Sequence, residues 1–261
     1  MVLYPDALFL GVDLYEIMLI VSFLAALIYF RLLADRVGFS AFLQNLCIAG
    51  GLAGLIGGYF AAVLTQAIYN AQETGRFALA QDTGATFYGG LIGGAAVYLF
   101  VYFAVGRGIL KRKDPTQNFW QMSSIASGCV ALAHGFGRIG CLCAGCCHGK
   151  ITDRWYGIYN AQLGAKTVPL PLYETLFLWA LCAFLTWNTL KRKRQNGLAW
   201  YLILYAVWRF GIEFFRADDR GAALIAFLSP SQLVALLLLP LGIALWFIER
   251  RMNPREGNDA N

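Results

Sequence analysis

The chain has 261 residues, 59% of them hydrophobic and only 14% charged, with a formal net charge of +6. Soluble domains hold roughly 45–50% apolar residues and alternate apolar with polar positions, so this composition argues against a water-soluble globule. The positive charge is compatible with nucleic acid, but its placement argues for membrane topology instead, and no nucleic-acid partner is expected.

In chain order, almost no charge falls within Leu14–Tyr29, Phe42–Tyr69, Thr86–Val105, Phe119–Cys147, Pro171–Leu190, Leu198–Phe215 and Ser229–Ile248. A helix of about 20 residues crosses a hydrocarbon core, so the reading is an all-α membrane protein with seven spans in one domain, residues 1–261. Met1–Asp13 carries no Lys or Arg, unlike a removable signal, and neither end shows a lipidation motif. The longest loop, Gly149–Leu170, has room only for a small cap.

Lys and Arg cluster on alternate loops. Thirteen fall between spans 1 and 2, 3 and 4, 5 and 6, and after span 7, while six fall on the other side. The positive-inside rule then puts the N-terminus outside and the C-terminus in the cytoplasm. Arg138 and Arg209 remain within spans.

Spans 2 and 3 are glycine-rich, with Gly50, Gly51, Gly54, Gly57 and Gly58, then Gly89, Gly90, Gly93 and Gly94. Small residues four apart let helices approach closely in lipid, and this accounts for most of them.

A charge at membrane depth is costly and generally has a partner and a task. Arg209 lies about 11 residues into span 6, roughly 16 Å along it, and Arg138 roughly 28 Å along span 4. Tyr205, Arg209 and Glu213, spaced by four, share a helix face. Arg209 and Glu213 therefore either neutralise each other or belong to a site. Arg138 has no carboxylate three or four residues away. A planar guanidinium grips phosphate bidentately, so the expectation is a lipid-phosphate site open to the outer leaflet, with Arg216 at the surface. His134 shares a face with Arg138 and is either a proton carrier or a buried structural histidine. His148, after the cysteine cluster, reads as structural or solvated.

Cys141, Cys143, Cys146 and Cys147 crowd one helix exit. Cys143 and Cys146 have the spacing of a redox pair. Three cysteines with His148 offer zinc ligands but lack a second half-site. Packing or disulfides at a sharp turn suit the crowding best, so no metal or cofactor is expected.

The motifs Tyr88-Gly89-Gly90-Leu-Ile-Gly93, Gly137-Arg138-Ile-Gly140, Leu172-Tyr173-Glu174, Tyr205-x-x-x-Arg209-x-x-x-Glu213-Phe-Phe-Arg216 and Ser229-Pro-Ser-Gln232 occur in this order. Together they resemble the prolipoprotein diacylglyceryl transferase family, over spans 3 to 7. The resemblance implies a bacterial inner-membrane enzyme with its site facing the outer leaflet. Such an enzyme moves the diacylglyceryl group of phosphatidylglycerol to the lipobox cysteine of a preprolipoprotein and releases glycerol phosphate. It further implies that Arg138 and Arg209 hold the phosphate, Tyr205 orients the head group or moves a proton, and Glu213 fixes Arg209. Arg216 would attract lipid at the entrance, and the amides of Gly89 and Gly90 would meet the head group. Tyr15 would stand for a tyrosine of the family's first span, and Gly137, Gly140 and Glu174 would belong to the substrate site. No catalytic thiol is implied within the cluster.

Two departures stand out. Tyr88 occupies the place of a histidine, which leaves Tyr88, Tyr205 and His134 as candidate bases. Cys141, Ala144 and Cys146 replace the usual asparagine and glutamate. A paralogue with another acceptor, a thiol oxidoreductase using Cys143 and Cys146, and a non-enzymatic lipid binder are the alternatives.

Overall fold

A computed structural model describes residues 11–77, 79, 86–217 and 228–252. Arg220 and Arg255, counted in the charge asymmetry, lie outside them. The helices are α1 (Leu14–Arg36), α2 (Ala41–Thr74), α3 (Phe87–Phe100), a short α4 (Asp114–Gln117), α5 (Phe119–Ala144), α6 (Leu170–Leu190), α7 (Gly197–Ile212) and α8 (Pro230–Met252). α3 continues as wider π-helical turns over Val101–Ile109, and α7 ends in a 3-10 turn, Glu213–Phe215. All but α4 yield a segment long and apolar enough to cross a membrane, seven among the described residues.

Exposure is inverted relative to a soluble protein. Ile92 is 70% exposed and Leu237 72%, whereas Glu174 is 0% exposed and Arg209 7%. Apolar side chains face outward because lipid is their solvent, and polar groups turn inward where they find partners. Helix ends are closed locally. Asp13 and Glu16 form a reciprocal capping box at α1. Ser229 and Gln232 do the same at α8, where Gln232 N donates to Ser229 Oγ and Ser229 N donates to Gln232 Oε1. Pro171 falls in the first turn of α6, where its missing N–H costs nothing.

The helices form two compact units, one of α2, α3 and α4, the other of α1, α5, α6, α7 and α8 with the loop between α5 and α6. In the first, the glycine tracts pair as expected. A Cβ on Gly58 would stand 2.9 Å from the Gly90 carbonyl oxygen, and one on Gly94 2.9 Å from that of Gly54. Backbone meets backbone, so dispersion holds the pair without a hydrophobic drive.

In the second unit, polar side chains stitch the helices. Tyr29 on α1 shares a 2.8 Å hydrogen bond with Thr186 on α6, Thr175 Oγ1 on α6 donates to the Gly135 carbonyl on α5 at 3.1 Å, and Gly197 N at the start of α7 donates to Ser124 Oγ on α5 at 2.9 Å. The 145–169 loop holds a two-stranded antiparallel hairpin, β1 (Ile158–Asn160) and β2 (Ala165–Thr167), with Tyr159 opposite Lys166. Gly149 bridges to Arg216, and Ala217 N donates to the His148 carbonyl at 3.3 Å, which ties the loop to the end of α7.

Candidate active site

In the second unit a row of ionisable groups lies where α5 and α7 finish and α6 and α8 begin. Five of them alternate in sign. Arg138 Nε lies 3.0 Å from Glu174 Oε2, and Arg209 Nη1 lies 3.8 Å from the same oxygen. Arg209 Nη2 is 3.0 Å from Glu213 Oε2, and Arg216 Nε is 3.9 Å from that atom. Ser231, in the first turn of α8, accepts a 2.7 Å hydrogen bond from Arg209 Nη2. α7 contributes Arg209 and Glu213 through their i, i+4 spacing, but the central carboxylate comes from α6.

Arg138 has no carboxylate three or four residues away on its own helix. Glu174, on a different helix, is its partner. Among the described residues, Arg138, Arg209 and Arg216 share the carboxylates of Glu174 and Glu213. Arg138 Nε and Arg209 Nη1 are enclosed yet make no hydrogen bond among the described residues, the first being misaligned with Glu174 and the second too far away. Enclosed guanidinium donors without a hydrogen bond in a low-dielectric site suit an anion. Arg216, expected at the surface, is drawn into this row, and its side chain is only 4% exposed.

Tyr205 Oη donates to Glu174 Oε1 at 3.2 Å, and its ring meets the His134 ring edge-to-face with centroids 5.3 Å apart. Tyr201 stacks on Tyr205 with ring centroids 5.7 Å apart. His134, Tyr205, Glu174 and the two deep arginines thus form one cluster. Tyr15 on α1 packs against Gly140, where an added Cβ would stand 3.0 Å from Tyr15 Cδ2. Helix packing accounts for that glycine. A Cβ on Gly137 would meet nothing within 4 Å, so the backbone beside Arg138 borders open space.

Tyr88, Gly89 and Gly90 belong to the other unit. There a Cβ on Gly89 would collide with Thr65, and one on Gly90 would lie 3.3 Å from Ala62 Cβ. Close packing on α2 is sufficient reason for both glycines.

All seven cysteines carry free thiols. The sulfurs of Cys141, Cys146 and Cys147 lie within 4.8 Å of one another, and Cys143 is not among them. The group of three that the fold gathers thus leaves out Cys143 of the redox reading. Arg138 Nη1 approaches Cys141 Sγ at 3.9 Å. Cys147 is held below the ordinary thiol range by hydrogen bonds from Cys141 and Cys146 and by Arg216, while Cys146 is pushed above it by its hydrogen bonds to Cys141 and Cys147. His148 Nδ1 lies 3.1 Å from the Gly149 carbonyl, outside the thiol cluster.

Sequence reasoning gave no role to Ser231, Tyr201 or Asn160. Asn160, 1% exposed, donates from Nδ2 to the Gly145 carbonyl at 2.8 Å and accepts from Gln162 N at 3.0 Å, closing the end of α5. A lone Asn in a polar loop carries no such signal. Ser231 had one, its place in the Ser-Pro-Ser-Gln motif, but nothing there named Arg209 as its partner.

A family model described as prolipoprotein diacylglyceryl transferase matches residues 5–248. The chain belongs to that family. The match runs from before Tyr15 to beyond Ser231 and so takes in the whole row of charges. Among relatives, a protein of Clostridium tetani named phosphatidylglycerol–prolipoprotein diacylglyceryl transferase is 31% identical over 90% of this chain and 92% of its own length. One of Chromohalobacter salexigens with the same name is 32% identical over 96% of both chains. A third, from Clostridium perfringens and named as transferase 2, is 32% identical over 82% of this chain and 81% of its own. Arg138 and Arg209, from the motifs that carry the resemblance, are the ones that meet across Glu174.

Proposed function

We propose that this membrane protein transfers the diacylglyceryl group of phosphatidylglycerol to the lipobox cysteine of a prolipoprotein, releasing glycerol phosphate. The observation that carries the reading is the buried row Arg138–Glu174–Arg209–Glu213–Arg216, in which Arg138 Nε and Arg209 Nη1 make no hydrogen bond among the described residues. A phosphodiester brings one negative charge. When the acceptor sulfur attacks the glyceryl carbon and the C–O bond to phosphate breaks, the departing phosphate gains a second. Guanidinia held in place by Glu174, Glu213 and Ser231 bind that product-like charge more strongly than the diester, which is how binding becomes rate.

Tyr205 and His134, beside Arg138 and Glu174, are the groups best placed to orient the head group or help move a proton in the transfer. The part given to Tyr88, Gly89 and Gly90 rests on their motif, and that of Tyr15, Gly137 and Gly140 on their nearness to Arg138. The two units serve as one transmembrane domain. The thirteen-to-six asymmetry of Lys and Arg supports an N-terminus outside and a site at the outer leaflet, and the family supports a bacterial inner membrane.

The test is mass spectrometry of a lipobox peptide incubated with the purified protein and phosphatidylglycerol. A diacylglyceryl adduct on cysteine, absent with a serine peptide, is the expected result. An unmodified peptide, with phosphatidylglycerol bound to folded protein, would leave only a lipid binder.

A further inference from the structure

The cysteine cluster is not used by the arginine row, yet the chain builds it with care. α5 stops at Ala144, and Gly145 turns into the left-handed region at φ +72°, returning the chain onto the last helical turn. Gly145 N donates to the Cys141 carbonyl at 3.1 Å, Asn160 Nδ2 to the Gly145 carbonyl at 2.8 Å, and Gln162 Nε2 to the Ala144 carbonyl at 2.9 Å. The reversal lays Cys146 and Cys147 over Cys141. Cys146 Sγ lies 3.7 Å from Cys147 Sγ, and all three sulfurs are within 4.8 Å of one another. Sulfurs bound to one tetrahedral zinc at Zn–S of about 2.3 Å are about 3.8 Å apart. The half-site missing from the sequence spacing is supplied by the turn.

A disulfide suits the cluster less well. Consecutive Cα atoms are about 3.8 Å apart, closer than an ordinary disulfide allows, and any other pairing leaves one of the three sulfurs unused. Three thiolates around a divalent ion leave one net negative charge. Arg138 Nη1, 3.9 Å from Cys141 Sγ, and Arg216, beside Cys147, stand where they compensate it. Cys146 is exposed, so one side of the triangle faces solvent. Three protein ligands with a fourth position open is the pattern of a zinc site that works on a substrate.

We propose that Cys141, Cys146 and Cys147 hold a thiophilic divalent cation of the zinc class, whose open position takes the sulfur of the acceptor cysteine. The first half stands on geometry alone, and the second rests on the transferase reading. A thiol bound to such an ion is deprotonated outright. The acceptor thiol releases its proton to water on binding the ion. Its sulfur then attacks the glyceryl carbon, an S–C bond forms, and the C–O bond to phosphate breaks. Glycerol phosphate leaves with the electron pair onto Arg138 and Arg209, and the thioether product, a weaker ligand, departs. The ion is neither oxidised nor reduced.

The experiment uses the full chain in nanodiscs, stripped with a chelator and titrated with Co2+ as the spectroscopic probe. One Co2+ per chain with sulfur-to-cobalt charge-transfer absorption is expected. Cys146→Ser, at an exposed position, should weaken binding by about tenfold or more, while Cys143→Ser should not. A lipobox peptide should shift the cobalt bands, and its serine analogue should not. Chelation should lower transfer about tenfold or more and Zn2+ restore it, with phosphatidylglycerol binding unchanged. Failure to bind Co2+ stoichiometrically, or equal binding by folded Cys146→Ser, would overturn the site. Full transfer after verified metal removal would overturn thiol activation and leave the transferase reading standing. Co2+ binding with no transfer by zinc-loaded protein would instead refute the transferase reading, and activation with it.

Discussion

Arg138 on α5 and Glu174 on α6 meet at 3.0 Å inside the helix bundle, and Glu174 is the only one of the pair that also reaches Arg209. The carboxylate is fully buried and serves two guanidinia and the Tyr205 hydroxyl at once. Breaking a buried pair by removing one charge costs about 3–5 kcal/mol, because the other charge is left behind. Glu174→Gln, which preserves shape, is therefore expected to lower the unfolding midpoint clearly and to abolish most transfer. Thermal unfolding and transfer rates in matched nanodiscs check this. Wild-type stability in Glu174→Gln would refute the central role of the carboxylate.

Arg138→Lys keeps the charge but replaces a planar fork by a point donor. One charged hydrogen-bond pair is worth about 1.5–3 kcal/mol, so a roughly ten- to hundredfold loss of rate is expected with the fold intact. Arg209→Lys should behave likewise. Wild-type rates in both would sink the phosphate clamp.

Arg209→Ala leaves Glu213 buried at depth without its 3.0 Å partner. The double variant Arg209→Ala/Glu213→Gln should regain expression and thermal stability relative to Arg209→Ala, yet not regain turnover. Recovery of transfer by the double variant would show that Arg209 only neutralises Glu213.

Ser231→Ala removes the 2.7 Å acceptor of Arg209 Nη2 while Glu213 stays in place. A loss of about 1.5–3 kcal/mol in transition-state stabilisation is expected if Ser231 aims the guanidinium, with little effect on unfolding temperature. The ratio of kcat to KM effects against unfolding separates aiming from packing. Equal transfer rates would show that Ser231 does not aim the guanidinium.

Gly135 and Gly137 flank the same turn of α5 but face different surroundings. A Cβ at Gly135 would collide with the Trp179 indole, whereas one at Gly137 meets nothing within 4 Å. Gly135→Ala should destabilise by about 1–3 kcal/mol, as overpacking does, and Gly137→Ala should fold normally. Any loss of phosphatidylglycerol binding in folded Gly137→Ala would place the lipid against that backbone. Chemical unfolding and lipid-binding assays decide both.

Seven spans, an all-helical membrane fold and the positions of Arg138, Arg209 and Glu213 were legible in the sequence, because lipid imposes long apolar runs and makes any interruption by charge conspicuous. Pairs within one helix followed from the i, i+4 rule, hence Arg209 with Glu213. What the sequence could not disclose is which helices are neighbours. Only tertiary packing sets Glu174 of α6 between Arg138 of α5 and Arg209 of α7, brings Ser231 of α8 to the same guanidinium, and draws Arg216 inward. The same holds for the cysteines, whose linear spacing does not say which of them meet, while the left-handed turn at Gly145 brings Cys141, Cys146 and Cys147 together. Helix formation is local and leaves a periodic trace in the sequence, but helix association in lipid depends on the shapes of distant faces and on where a buried charge finds its partner.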